Sequence, residues 1–170
     1  MTRKLTTIVL ILMAFTGKVW SQEAITGKAY AEVIPALTAF ENSQLHFGKF
    51  SPEVGGGQIV LTPEGIRTAQ GSVILSGGNS EPGKFIITGE ENASYTIQLP
   101  ATSAQLQHHG SNKTMIVNNW ESNPPAGTGT GVLTGGTQTV SIGATLIIGS
   151  LEDNPVGVYT GTYSLTFAYN

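Results

Sequence analysis

Short stretches in which apolar and polar residues alternate constrain the fold of this chain more than any other feature. The clearest one ends the chain, where Gly, aromatic or aliphatic residues at odd positions from Tyr159 to Tyr169 alternate with Thr, Ser and Ala. Because successive side chains of a β-strand point to opposite faces, this period of two indicates a strand with one buried face. Gly, Pro and Asn separate these stretches, and no segment after residue 21 has the 3.6-residue period of a long helix.

The composition favours the same structural class. The chain has 22 glycines, only 11% of its residues are charged, and Thr, Val, Ile and Ser recur throughout. Such residues suit strands and tight turns better than helices. About nine strand candidates follow one another at short spacing without helical crossovers. The sequence therefore predicts an all-β fold, an antiparallel β-sandwich.

Two stretches in the middle of the chain carry more specific predictions. Strands at 84–88 and 94–99 are separated by a short polar segment, which predicts a hairpin. In the second strand, Tyr95, Ile97 and Leu99 share the face expected to lie in the core. Residues 123–131 are rich in Pro and Gly, which predicts an exposed loop within the domain.

The first 21 residues differ from the rest and predict a secretory signal peptide. Arg3 and Lys4 precede an apolar run, and small side chains at Val19 and Ser21 suit cleavage after Ser21. The alternative, a membrane anchor, would need an apolar run of about 20 residues, longer than this one. Removal of the signal leaves residues 22–170, a length that suits a single β-sandwich domain and contains no membrane span.

The charge and the lack of cysteine exclude several function classes. Once Arg3, Lys4 and Lys18 leave with the signal, five basic residues stand against eleven acidic ones, a formal charge of −6. Nucleic acid is not an expected partner, because binding its phosphates needs a basic surface. The chain contains no cysteine, which excludes disulfides, thiolate metal ligands and thiol nucleophiles.

No constellation of residues predicts catalysis, a metal or a cofactor. His108 and His109 are adjacent, so on a strand they would point to opposite faces, and a polar turn explains them better than a zinc site. The acidic turn 152–154 lacks the several closely spaced ligands of a calcium loop. Glu90 and Glu91 fall in the predicted hairpin loop, where they would not be held at catalytic spacing. The sequence predicts a protein that is not an enzyme.

Trp120 is the one residue that suggests contact with a ligand. It is the only tryptophan after the signal, and it stands just before the segment rich in Pro and Gly. An aromatic ring on a loop can stack against a sugar, which makes a glycan the candidate ligand. Packing of the ring in the core at a strand end is the competing interpretation, since most large aromatic side chains are substantially buried.

Several well-spaced motifs give the chain a resemblance to a known family. They are Leu45-His-Phe-Gly48, Gly56-Gly57, Thr88-Gly89, Tyr95-Thr-Ile-Gln-Leu-Pro100, Ile142-Gly-Ala-Thr-Leu146 and Gly157-Val-Tyr-Thr-Gly161. With these motifs, in this order, the sequence resembles the bacterial domain-of-unknown-function family 4402 across essentially the whole mature chain. The resemblance implies no activity, because that family has none assigned.

The C-terminus is also similar, more distantly, to spore coat protein U-type domains and chaperone–usher pilins. Tyr169 is penultimate and Gly157 is fourteenth from the end, as in the last strand of pilins. This likeness implies a pilin/immunoglobulin-like sandwich whose last strand pairs with a periplasmic chaperone and then with a like subunit. The residues that would form such a partner strand are Gly157, Tyr159, Tyr163, Leu165, Phe167 and Tyr169.

An N-terminal run supplies a candidate for the strand that a neighbouring subunit would contribute. One face of residues 25–33 consists of small or aliphatic residues: Ile25, Gly27, Ala29, Ala31 and Val33. The alternative is that this run is simply the first strand of a complete sandwich. The expected function is a secreted structural or adhesive subunit of a bacterial surface appendage or extracellular matrix, with a carbohydrate-binding surface module as the alternative.

The predicted signal peptide leads to a direct test. We expect the exported protein to begin at Gln22, because the small residues at Val19 and Ser21 suit the signal peptidase. Mass spectrometry of the intact exported protein measures this. Exported protein that still begins at Met1 as its main form would contradict the prediction.

Overall fold

The structure, a computed structural model, describes residues 22–170, so the predicted signal peptide lies outside the described residues. The chain divides after Val33. Residues 22–33 have no regular secondary structure and are exposed along their whole length. The interpretation of 25–33 as the first strand of a complete sandwich is therefore wrong: these residues alternate but do not pair.

The part of the chain after Val33 is built from eleven strands. They are β1 (Thr38–Ser43), β2 (Lys49–Leu61), β3 (Arg67–Ser76), β4 (Gly83–Thr88), β5 (Ser94–Gln98), β6 (Ala104–His108), β7 (Thr114–Asn123), β8 (Gly127–Val132), β9 (Thr137–Ile148), β10 (Tyr159–Thr160) and β11 (Thr166–Tyr169). A short 3₁₀ turn, Thr134–Gly136, precedes β9. No helix among the described residues is long and apolar enough to cross a membrane.

The strands form two antiparallel sheets, as the sequence predicted. The larger sheet has eight strands, with the order β1-β4-β9-β7-β6-β10 and with β2 pairing both β3 and β9. The smaller sheet has the order β11-β5-β8. The all-β, sandwich-like class is thus confirmed.

Strand β9 is the centre of the larger sheet. On one edge it pairs with β4 over 137–142 and with β2 over 144–148, and on the other edge it pairs with β7. Residues 142–146 are all buried, a pattern typical of a strand covered on both faces. Gly143 is needed here because a Cβ at this position would collide with the carbonyl oxygen of Leu61.

The buried side chains form two clusters. The first contains Phe47, Ile59, Leu61, Val73, Met115, Val117, Ala144, Leu146 and Ile148. The second contains Ile87, Tyr95, Ile97, Leu133, Val140 and Ile142. Strand β9 contributes to both, and Trp120 packs against both. The predicted core face of β5 is confirmed for Tyr95 and Ile97, while Leu99 is half-buried.

The predicted hairpin between 84–88 and 94–99 is wrong. Strand β4 pairs with β1 and β9 in the larger sheet, whereas β5 pairs with β11 and β8 in the smaller one. Residues 89–93 therefore connect the two sheets. Two strands with apolar inner faces can bury them either side by side in one sheet or face to face across a core. Here β4 and β5 lie in different sheets and face each other across the core.

The predicted loop 123–131 is also wrong over most of its length, because Gly127–Val132 forms β8 and pairs with β5. Gly131 explains why a glycine-rich stretch serves as a strand. It lies opposite Tyr95, and a Cβ at Gly131 would collide with the Tyr95 ring. The missing side chain lets that ring pack directly against the β8 backbone.

The burial of Ile97 leads to a stability prediction. Ile97 is 1% exposed in the second cluster, so Ile97→Ala should lower the free energy of unfolding by about 2–5 kcal/mol. Ile74→Ala on β3 is the control, because Ile74 is 55% exposed and its loss should change stability by no more than about 0.5 kcal/mol. Urea unfolding measures both, and equal effects would contradict the assignment of faces.

Candidate functional site

The C-terminal segment, residues 159–169, does not form the single strand that its alternation suggests. Tyr159–Thr160 forms β10 and pairs with β6 in the larger sheet, and Thr166–Tyr169 forms β11 and pairs with β5 in the smaller sheet. Residues 161–165 carry no strand pairing and cross between the sheets. At the start of this crossing Gly161 passes so close to the Gln105 carbonyl that a Cβ would collide with it.

The alternation itself is preserved across the split. Tyr159, Tyr163, Leu165, Phe167 and Tyr169 are all half-buried, and the even-numbered residues between them are exposed. The inward direction of these side chains agrees with the prediction, but none of them is fully buried. Both β10 and β11 are edge strands in the sheets of the described residues, so each has one side along which no strand is paired.

Aromatic contacts hold the inward side chains of this segment. The Tyr163 ring lies 4.8 Å from the Trp120 ring and 6.2 Å from the Phe85 ring, centroid to centroid. The Phe167 ring lies 6.2 Å from Tyr95 and 6.4 Å from Phe85. Edge-to-face and tilted pairs at such distances add about 0.5–1.5 kcal/mol each beyond the area that they bury.

Strand β1 lies beside this segment but is not bonded to β11. Near one end, the Tyr169 hydroxyl donates to the Pro35 carbonyl oxygen at 3.0 Å and accepts from the Glu90 N–H at 2.7 Å. Near the other end, the negative charge of the Glu41 carboxylate raises the pKa of the Tyr163 hydroxyl. The C-terminal segment and β1 thus run in opposite directions, and the Tyr169 side chain, instead of backbone hydrogen bonds, links the segment to the residues just before β1.

In the described chain no strand pairing joins β1 to β11, and the strip of side chains between them is partly open to solvent. Ala39 and Glu41 of β1 lie opposite Ile87 and Phe85 of β4, so they share the core-facing side of the sheet. Both are nevertheless exposed. We call this strip the open groove, and the apolar residues that define it are Leu37, Ala39, Phe85, Leu165 and Phe167. A strand placed here would meet apolar side chains and the free edge of β11.

Burial shapes the acidity of two tyrosines beside the groove. Desolvation raises the pKa of the Tyr163 hydroxyl, and the nearby Glu41 carboxylate raises it further. Burial also raises the pKa of Tyr95 from 10.0 to about 12. The Tyr95 hydroxyl donates to the Gln138 side-chain oxygen at 2.7 Å, so the neutral form is hydrogen-bonded in the core.

His108 and His109 hold the start of the C-terminal segment, a role that the sequence did not suggest. Nδ1 of His108 accepts from the Gly110 N–H at 3.0 Å, and its ring lies 4.9 Å from the Tyr159 ring. Nε2 of His109 lies 2.9 Å from the Thr160 hydroxyl oxygen. Gly157 lies beside this pair, and a Cβ there would displace the imidazole of His108.

Trp120 lies where the two core clusters meet. Strand β7 has a bulge between Asn118 and Glu121, with Asn119 at a φ of 47°, which sets the direction of this ring. The indole N–H donates to the Thr102 carbonyl oxygen at 3.3 Å. The half-buried ring also borders a cleft of about 370 Å³ lined by Glu64, Glu121 and Pro125. Core packing and contact with a ligand are both compatible with this position.

The buried tyrosines predict loss of stability at high pH. A hydroxyl whose pKa is raised in the folded state stabilises the fold below the unfolded value of 10.0, and that stability is lost as the pH rises towards about 12. Tyr95→Phe should therefore make the urea midpoint fall less steeply above pH 10. Tyr30→Phe, at an exposed residue, is the control and should leave the slope unchanged. Identical slopes in both variants would contradict the prediction.

Comparison with known proteins found one family. The model described as "Domain of unknown function (DUF4402)" matches residues 37–169. The matched range begins one residue before β1 and ends at the last residue of β11. No curated protein and no solved structure matches the chain.

Proposed function

The chain belongs to the DUF4402 family, and we propose that it is an exported structural or adhesive subunit without enzymatic activity. In this proposal the subunit is part of a bacterial surface appendage or extracellular matrix. It binds a periplasmic chaperone first and like subunits afterwards, each time through its C-terminal segment. The signal-like start of the sequence supports export.

The unprotected edge of β11 is the observation that carries this proposal. Natural proteins usually protect edge strands with charged residues, Pro or bulges, because a free edge invites pairing with another chain. Residues 159–170 contain no charged residue and no proline. An edge of this kind, next to half-buried apolar side chains, suits the addition of a strand.

Strand addition would satisfy both the backbone and the side chains of this region. The free N–H and C=O groups of β11 would gain ladder hydrogen bonds, which provide affinity without requiring a particular sequence. Alternate side chains of the added strand would enter the open groove and provide specificity. Leu165 and Phe167 would become more deeply buried, at about 25 cal/mol for each Å² of apolar surface covered.

A carbohydrate-binding module is the second candidate function, and the cleft beside Trp120 supports it. Glu64, Glu121 and Ser122 place polar atoms around this cleft, as recognition of sugar hydroxyls requires. Trp120 is, however, engaged with Tyr163 on the core side, which leaves less of the ring for stacking. Retention of a monomer on immobilised polysaccharide, and its loss in Trp120→Ala, would favour this candidate.

Substitution of Phe167 tests the proposed subunit function. Phe167→Asp should abolish both co-purification with a periplasmic chaperone and polymer formation, because a carboxylate would enter an apolar groove. Thr166→Asp is the matched control, since Thr166 is the neighbouring residue on the exposed face of β11. We expect this control to retain most of the binding.

Folding is checked in parallel, because Phe167 also contacts Tyr95. Circular dichroism of Phe167→Asp identifies a variant that has simply unfolded, and Phe167→Ala then serves as the milder substitution. The proposed function would be wrong if the unaltered protein is a stable monomer in the periplasm, with no bound partner and no polymer at high concentration.

A further inference from the structure

We propose that the turn which follows β3 binds a phosphate group. We call residues 76–80 the glycine turn, and the site consists of this turn together with Lys49 and Arg67. The inference goes beyond the proposed function and does not depend on it, because it uses neither the C-terminal segment nor the cleft beside Trp120. It follows from three properties: cations without a carboxylate partner, a half-buried guanidinium, and backbone N–H groups without an acceptor.

The charge balance of the chain makes these two cations unusual. Residues 22–170 contain five basic residues against eleven acidic ones, so carboxylate partners are plentiful. Within the described part of the chain, however, the single salt bridge joins Lys84 to Glu81 at 3.2 Å. This pair neutralises the acidic residue that directly follows the glycine turn. Arg67 and Lys49 form no salt bridge there, and their positive charge is available to a ligand.

Backbone carbonyl groups, and no carboxylate, hold Arg67 in place. Its Nη1 donates to the Phe47 carbonyl oxygen at 2.9 Å, and its Nη2 donates to the Ser76 carbonyl oxygen at 3.0 Å. Glu64, three residues earlier, accepts from the Asn123 side chain instead. A guanidinium has more N–H groups than these two bonds use. Since the side chain is half-buried, its charge is partly desolvated without a counter-ion, a cost that a bound anion would offset.

Two glycines bring the flanking side chains close to the turn. A Cβ at Gly48 would collide with the Arg67 guanidinium and would lie 3.4 Å from Cβ of Ser80, so the guanidinium and the Ser80 side chain are neighbours. A Cβ at Gly78 would lie 3.2 Å from Cγ of Lys49, so the aliphatic stem of this lysine runs alongside the turn. Both cations therefore reach the same short segment.

The glycine turn also supplies backbone donors. None of the N–H groups of residues 77–80 donates to a backbone carbonyl group among residues 22–170. Gly77, Gly78 and Asn79 are exposed, and Gly78 has a φ of 109°, which glycine adopts more readily than other residues. Successive N–H groups in a turn can form a concave site for an anion. The Ser80 hydroxyl adds a further donor beside them.

This set of donors suits a phosphate group. A phosphate carries up to about two negative charges and several strong acceptor oxygens, which matches two cations and a row of N–H groups. Arginine can bind it through two parallel N–H groups, and lysine contributes a point charge. Free phosphate and the phosphate of a lipid headgroup present the same oxygens. The chemistry that the site recognises is therefore the phosphate group itself.

Titration of ¹⁵N-labelled protein with inorganic phosphate tests the site directly. We expect saturable shifts of the amide signals of residues 77–80 at constant ionic strength, and no saturable shift with chloride. Co-sedimentation with vesicles separates the two sources of the group. Vesicles that contain phosphatidylglycerol are compared with vesicles of phosphatidylcholine alone.

Two lysine substitutions form a matched pair. Lys49→Gln should weaken binding by about tenfold, the effect of losing one hydrogen bond between charged groups. Lys113→Gln is the control, because it removes the same charge from an exposed residue in the turn between β6 and β7 and should leave binding unchanged. Both changes leave the hydrogen bonds of Arg67 to the backbone intact, so they test binding without removing a contact of the fold.

Arg67→Gln should abolish binding, but it also removes the bonds to Phe47 and Ser76. Circular dichroism identifies a variant that has unfolded, and the lysine pair decides the proposal in that case. Arg67→Lys keeps the charge and loses the planar fork, so we expect binding between that of the unaltered protein and that of Arg67→Gln.

Each outcome supports or overturns the proposal. Saturable binding of free phosphate without vesicle binding identifies a soluble phosphate ligand, and vesicle binding that Lys49→Gln weakens identifies a lipid headgroup. The proposal is wrong if neither phosphate nor phosphatidylglycerol binds. Equal weakening by Lys49→Gln and Lys113→Gln would mean an adventitious ion only, and the site would again be rejected. None of these results bears on strand addition at β11, so the proposed function stands or fails separately.

Discussion

The whole fold depends on the way that β9 is shared among its neighbours. This strand pairs with β4, β2 and β7, and its residues supply both core clusters. On a strand that is paired along both edges and covered on both faces, a polar side chain without a hydrogen-bond partner would destabilise the fold. The close approach of Gly143 to the backbone of Leu61 shows how tightly β2 must lie against it. Any change that displaces β9 would separate the two halves of the larger sheet.

The smaller sheet is too narrow to cover the larger one. Its three strands contribute to the second cluster, but Ala39 and Glu41, on the core-facing side of β1, remain exposed. Glu41 is a charge on the inward side of an edge strand, a device that discourages indiscriminate pairing. The β11 edge has no such protection. The molecule therefore protects one side of the groove and leaves the other available, which is consistent with selective addition of one strand.

Some elements could be predicted from the sequence because their local pattern and their environment agree. Tyr95 and Ile97 alternate with polar residues on β5, and the same residues are fully buried. Along β9, Val140, Ile142, Ala144 and Leu146 stand at every second position, and all four are buried. Strand β8 was not predicted because glycine usually indicates a turn. In the structure, Gly131 instead leaves the space that the Tyr95 ring of β5 occupies. Nothing near Gly131 in the sequence indicates that ring.

In the candidate site too, some features follow from neighbouring residues and others from residues distant in the sequence. The alternation of 159–169 determined which side chains point inward, because it depends only on neighbouring residues. The assignment of β10 and β11 to different sheets depends on β6 and β5, which lie more than 50 residues earlier in the chain. In the same way, His109 lies 51 residues before Thr160 in the sequence but contacts its hydroxyl in the fold.

The sequence by itself thus determined the structural class, the faces of its clearest strands and the alternation of both chain ends. Only the tertiary structure decided that β4 and β5 face each other across the core, that the last strand is divided and that residues 22–33 form no strand. Local alternation indicates that a strand has an apolar face, but many other strands could cover such a face. The choice among them is made by packing and backbone pairing between residues distant in sequence, which no local pattern contains.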